Sequence, residues 1–105
     1  MKGFVYRLLA PRPTFAVDMT PEERATLNDH AAYWAELMHR GKAVAFGPVN
    51  DPQGPYGLGI LLVEDLAEAE AIRDADPAIA GPHGLRGELA PMIRLVTTEG
   101  VYEGG

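Results

Sequence analysis

Ile60, Leu61, Leu62 and Val63 follow one another with no polar residue between them. Successive side chains of a strand point to opposite faces, so a half-exposed strand alternates, and this one does not. Tyr56 to Glu64 (YGLGILLVE) is therefore predicted as a strand that needs cover on both faces. Gly3 to Leu9 (GFVYRLL) makes a similar demand, with Phe4 and Tyr6 set against Val5 and Leu9, and it ends at Ala10-Pro11. Two such strands restrict the chain to folds with a sheet at the centre.

Thr20 to Arg40 (TPEERATLNDHAAYWAELMHR) supplies something to pack on that sheet. Thr20 is a plausible N-cap, Pro21 occupies the first helical position, and Glu23 completes a capping box. Gly41 offers the stop, with Arg40 in the last turn facing the negative end of the dipole. At about 100° per residue, Leu27, Ala31, Trp34, Leu37 and Met38 share one stripe. Asn28, Asp29, Glu36, His39 and Arg40 share the opposite face. His30 falls inside the apolar stripe while His39 points to water, and that contrast is the first functional clue.

The remaining segments complete an order. Pro11 to Met19 is a loop stiffened by prolines, with Phe15 and Met19 expected over the core edge. Lys42 to Val49 (KAVAFGPV) reads as a second strand, joined to the third as a hairpin by the turn-rich NDPQGP. Asp65 and Glu68 have capping-box spacing and open an alanine-rich helix to about Ala75, which Pro77 ends. Ala78 to Gly84 is a turn region, Arg86 to Val96 a fourth strand, and TTEGVYEGG a tail.

Strand, helix, strand, strand, helix, strand predicts an α+β, ferredoxin-like βαββαβ domain: a four-stranded antiparallel sheet with two helices on one face. The first and third strands would be central, and the fourth an edge where Pro91 is tolerated. Two helices cover only one face. The other is expected to be buried by a second copy, giving a homodimer through the sheet; the alternative is that the C-terminal tail folds over it.

At 105 residues the chain is one domain, with a core of about 2–96 and a tail of 97–105. A formal charge of −6 argues against nucleic acid as a partner, because phosphate binding needs a basic surface. No cysteine is present, which removes thiol chemistry and cysteine-ligated zinc and fits a reducing compartment. No segment reads as a signal peptide or reaches the roughly 18 apolar residues of a membrane span, so a cytoplasmic protein without membrane association is expected. Serine is also absent, which excludes a serine nucleophile.

His30 leads the candidates for chemistry. It is either a core histidine satisfied by a backbone carbonyl or a general acid or base needing an orienting partner. Asp76, in Asp74-Ala75-Asp76-Pro77, is the obvious partner to propose, although an aspartate before proline is first of all a good N-cap for the turn that follows. Gly47-Pro48 is a turn signal whose functional reading is room for a ligand at the sheet's end. His83 is most simply a loop histidine. A metal site from His30, His39 and His83 is not expected, because His30 and His39 face opposite ways and no HExxH spacing exists. Gly57-x-Gly59 lies inside a hairpin strand and is not a nucleotide fingerprint.

Together GFVYRLL, the helix with DHAAYW, GKAVAFGPV, YGLGILLVE, and DADP followed by a strand ending near ELAPM resemble the YCII-related domain family. The resemblance runs from about Lys2 to Leu95. It implies a ferredoxin-like fold dimerising through the sheet, and an active-site pair matching His30 and Asp76. The family's glycine-proline at the end of the second strand matches Gly47 and Pro48. Its members look like small-molecule enzymes, some acting in elimination chemistry on chlorinated aromatic rings.

The expectation is thus a cofactor-free small-molecule enzyme with a His30–Asp76 dyad for lyase- or hydrolase-type acid–base chemistry. The pocket would be lined by Trp34, Phe46, Tyr56 and Phe15, with Gly47 and Pro48 at its floor. Its alternatives are a non-catalytic small-molecule-binding or regulatory module on the same fold, and a cofactor-free oxygenase.

Overall fold

The computed structural model describes residues 1–104. It is a mixed α+β structure. Strands β1 (Lys2–Leu9), β2 (Ala43–Val49), β3 (Tyr56–Val63) and β4 (Arg86–Pro91) form an antiparallel sheet in the order β2-β3-β1-β4. β1 and β3, the two strands whose sequences demand cover on both faces, are the central pair. Pro91 closes the edge strand, where a missing N–H costs no ladder bond.

Alternation along β1 sorts the sheet's faces. Phe4, Tyr6 and Leu8 point inward and are buried, as are Leu61 and Val63 of β3. Against them lies α2 (Pro21–His39), whose Thr20 cap and Glu23 form a reciprocal capping box. The buried part of α2 runs through Leu27, His30, Tyr33, Trp34 and Leu37, with Trp34 and Leu37 fully enclosed. Met38, expected on that stripe, is 41% exposed. It lies in the last turn of α2, beside a chain that leaves the helix at Arg40. Tyr33 takes a place on the buried side instead, donating from its hydroxyl to the Ile72 carbonyl (2.7 Å).

The second long helix on this face is α3 (Leu66–Ala75), capped by Asp65, followed by the four-residue α4 (Pro77–Ala80). Asp76 is the hinge between them: it ends α3 in extended backbone (ψ 127°) and caps α4. The proline after it enforces that extension, because a helical residue would clash with the ring.

Two segments differ from the sequence expectation. The Pro11–Met19 loop contains a short helix, α1 (Phe15–Asp18), with Phe15 buried. The expected fourth strand, Arg86 to Val96, is broken: β4 stops at Pro91, and β5 (Arg94–Thr97) turns back through Gly100 (φ 154°) to pair with β6 (Gly100–Glu103). The tail is thus a hairpin that lies over one end of the outer face. A Cβ on Gly3 would sit 2.8 Å from Leu95 Cβ, so the glycine makes that approach possible. Farther along the same face Val5, Leu58, Ile60 and Leu62 are only half-buried.

Candidate active site

A single carboxylate organises the interior. Asp76 has no solvent exposure, and its side chain collects four partners from three segments, β1, α2 and α4. Tyr6 on β1 donates from its hydroxyl to Oδ2 (2.9 Å), and the indole N–H of Trp34 on α2 donates to the same oxygen (3.0 Å). The backbone N–H of Ala78 donates to Oδ1 (2.9 Å), which is the cap of α4. The fourth partner is His30, whose Nδ1 lies 2.9 Å from Oδ1 and 2.8 Å from Oδ2. Trp34 and His30 are four residues apart, one turn of α2, which is why one helix can present both to one acceptor.

The electrostatics follow from that enclosure. Burial pushes the Asp76 carboxyl up, but the bonds and charge of His30, with the bonds from Ala78 and Trp34, outweigh it and hold the group below the usual carboxylate range. Tyr6 is pushed in the opposite sense, by burial and then by the neighbouring Asp76 charge, so its phenol stays an O–H donor. With Asp76 ionised and the imidazole neutral, the proton of His30 resides on Nδ1 and Nε2 carries the free lone pair. Nε2 has no hydrogen-bond partner among the described residues, and no buried side-chain polar atom there lacks one.

His30 stands on the wall of a cavity of about 290 Å³ between α2, the inner face of the sheet and α1. The indole of Trp34 forms its base, packed against Tyr6 (centroids 4.9 Å apart) and Phe46 (6.1 Å). Phe15, Trp34, Phe46, Gly47, Pro48 and Tyr56 all line it, so the expected lining residues gather here with His30. Asp76 sits behind His30 rather than in the wall. Tyr56 also carries the Arg7 guanidinium over its ring, 4.4 Å from the centroid.

Sequence reasoning missed four contributors. Tyr6 was legible only as a core aromatic, although a buried tyrosine hydroxyl generally requires a partner. Gly59 lies directly under the indole, and a Cβ there would meet Trp34 Cη2 at 2.4 Å. Leu27 and Met19 close the helical side. Gly47 lines the cavity, and a Cβ at that position would meet nothing within 4 Å, so no neighbouring atom requires a glycine there. His39 is exposed and remote from this cluster, and among the described residues no group of histidine and carboxylate side chains is arranged to hold a metal ion.

The first loop is fastened over the cavity by charge. Arg12 makes a two-pronged pair with Glu23 (2.8 Å to each oxygen), and its Nε reaches Asp18 (2.8 Å). Glu23 Oε1 also accepts from the Thr20 N–H, so the capping-box carboxylate doubles as the anchor.

A family model for the YCII-related domain matches residues 4–88, from β1 into β4. No curated protein matches the chain.

Proposed function

We propose that this chain, which belongs to the YCII-related domain family, is a small-molecule enzyme in which His30 moves a proton and Asp76 orients it. One observation carries the proposal: His30 Nδ1 is 2.8 Å from a buried carboxylate while Nε2 is left unpartnered on a cavity wall. Asp76 accepts from Nδ1–H, fixing the tautomer, and stabilises the imidazolium once Nε2 has taken a proton from the substrate. The same Nε2–H then returns the proton to a leaving group or to another atom of the product. Such a cycle serves lyase- and hydrolase-type reactions and calls on no redox group.

The strand order β2-β3-β1-β4, with the long helices on one side, supports a ferredoxin-like domain. The half-buried apolar residues of the outer face (Val5, Leu58, Ile60 and Leu62) support a second copy packed there as a symmetric homodimer. Light scattering on the wild type and on Ile60→Lys tests this: a dimer that the charge splits is expected, and a monomeric wild type removes the idea.

The test of catalysis starts from a thermal-shift screen. Stabilising compounds are incubated with the protein and inspected for product by mass spectrometry, in D2O as well as H2O. Conversion or deuterium wash-in that His30→Ala abolishes, with the fold intact, is expected. Turnover undiminished in His30→Ala ends the proposal. The sparse polarity of the cavity favours one rival, a non-catalytic binding module, for which ligands stabilise the protein and emerge unchanged and unlabelled.

A further inference from the structure

We infer that the cavity beside His30 selects an uncharged molecule with a ring-sized apolar body and a single hydroxyl-type group, and rejects organic acids of the same size. The inference rests on this cavity being the working site, as in the proposal above.

The lining contains no Asp, Glu, Lys, Arg, Asn, Gln or Thr side chain. Its walls are side chains such as Leu8, Phe15, Met19, Leu27, Phe46 and Leu85. The polar groups that do border it are mostly committed. Tyr6 Oη and Trp34 Nε1 both donate to Asp76, and Tyr56, in step along β3 with the outer-face residues Leu58 and Ile60, turns its ring onto Arg7. The backbone of Gly57 and Gly59 belongs to β3, which has a strand on each side, so its N–H and C=O groups serve the ladder. Among the lining side chains, His30 Nε2 is what remains.

A ligand therefore has one polar position to satisfy, and everything else it brings is desolvated against hydrocarbon. A hydroxyl fits that position in either state of the ring, donating to a neutral Nε2 or accepting from Nε2–H. A carboxylate does not fit. It would give up its hydration for a single nitrogen, with the Asp76 charge directly behind that nitrogen. The cations nearest the cavity lie in the adjoining groove: Arg12 is tied to Glu23 and Asp18, Arg7 reaches Glu88 (3.7 Å), and Arg86 is exposed. Size is consistent with the class, since a dry apolar cavity of about 150 Å³ already accepts benzene and this one, at about 290 Å³, has room for a substituted ring.

Calorimetric titration of the wild-type protein with 4-ethylphenol, ethylbenzene and 4-ethylbenzoate tests the inference without any need for turnover. The phenol is expected to bind most tightly, the hydrocarbon about tenfold more weakly for want of one hydrogen bond, and the benzoate at least a hundredfold more weakly. In His30→Ala the phenol should lose its advantage over the hydrocarbon, while the hydrocarbon still binds. Benzoate binding as well as the phenol would overturn the inference and point to Arg86 as the recognising group. Equal affinity for phenol and hydrocarbon, or no binding of any of the three, overturns it too. Because the readout is affinity, a bound phenol that is never transformed counts against catalysis and leaves the ligand class standing.

Discussion

Gly59 lies flat beneath Trp34, so close that a Cβ built on the glycine would meet indole Cη2 at 2.4 Å. The indole in turn donates to Asp76, which holds His30. A missing side chain in the sheet thus sets the height of the ring that sets the carboxylate.

Gly59→Ala is expected to lift the indole off the strand. Overpacking of this kind costs about 1–3 kcal/mol. In a domain of 105 residues that is a fall of roughly 5–20 °C in Tm. Because Trp34 is the chain's one tryptophan, its emission reports the displacement directly. An unchanged spectrum and Tm would contradict the packing described above.

Asp76→Asn replaces one acceptor oxygen by an NH2 that faces donors on every side. Three side chains and one backbone N–H compete for the oxygen that remains, and a loss of about 2–4 kcal/mol is expected. Turnover should fall further than stability explains, since an orienting carboxylate in such pairs is worth about 10⁴. The pH dependence has a definite sign. The folded carboxyl lies below its unfolded value of about 3.9, so its contribution is complete above that pH and is lost as pH falls below it. Denaturant titrations across that range should show an acid limb in the wild type that is reduced in Asp76→Asn.

How far these relationships were legible in the sequence depends on their range. The caps at Thr20, Asp65 and Asp76 are local, and each is written within four residues of chain. His30 was visible because helical period exposes a polar residue among apolar ones. That Asp76 reaches it is a contact across 46 positions, and periodicity carries no information on that scale. The resemblance to a known family pointed to the pair, and local sequence favoured the cap alone; the side chain serves both, with Oδ1 accepting from Ala78 and both oxygens within reach of His30. Tyr6 and Gly59 were unreadable because their roles are defined by what lies above them. The C-terminal hairpin was hidden by apolar residues that continue past Pro91, while the break itself comes from the ladder ending at Met92 N–H to the Gly3 carbonyl (2.9 Å).

Tyr6→Phe removes one donor from Asp76 and keeps the ring packed on Trp34. The cost to stability is expected to be about 0.5–1.5 kcal/mol. If Tyr6 acts only by steadying Asp76, kcat should fall several-fold with KM unchanged. A rise in KM alone would assign the hydroxyl to ligand contact instead.

Arg12 governs the cover of the cavity, because α1 contributes Phe15 to the lining and Arg12 is what ties that loop to α2. Its bond to Glu23, followed by the Thr20 N–H, pulls the Glu23 carboxyl down to about 2. Asp18 is lowered as well, by Thr14 first and then Arg12. For a carboxyl lowered in the folded state, the stabilisation is present above the unfolded value, about 4.3 for Glu, and disappears as pH drops through the folded one. The fastening should therefore hold at neutral pH and release between roughly pH 4.3 and 2. Hydrogen exchange separates this from the global acid limb of Asp76, since the Val17 and Asp18 amides bonded to the Thr14 carbonyl report α1 alone. Arg12→Ala should make those two amides exchange quickly at every pH while the amides of β1 and β3 stay protected. It should also speed ligand association without changing the His30–Asp76 contact. Protection of Val17 and Asp18 that survives Arg12→Ala would mean that Phe15 packing, rather than the ion pairs, holds the loop down.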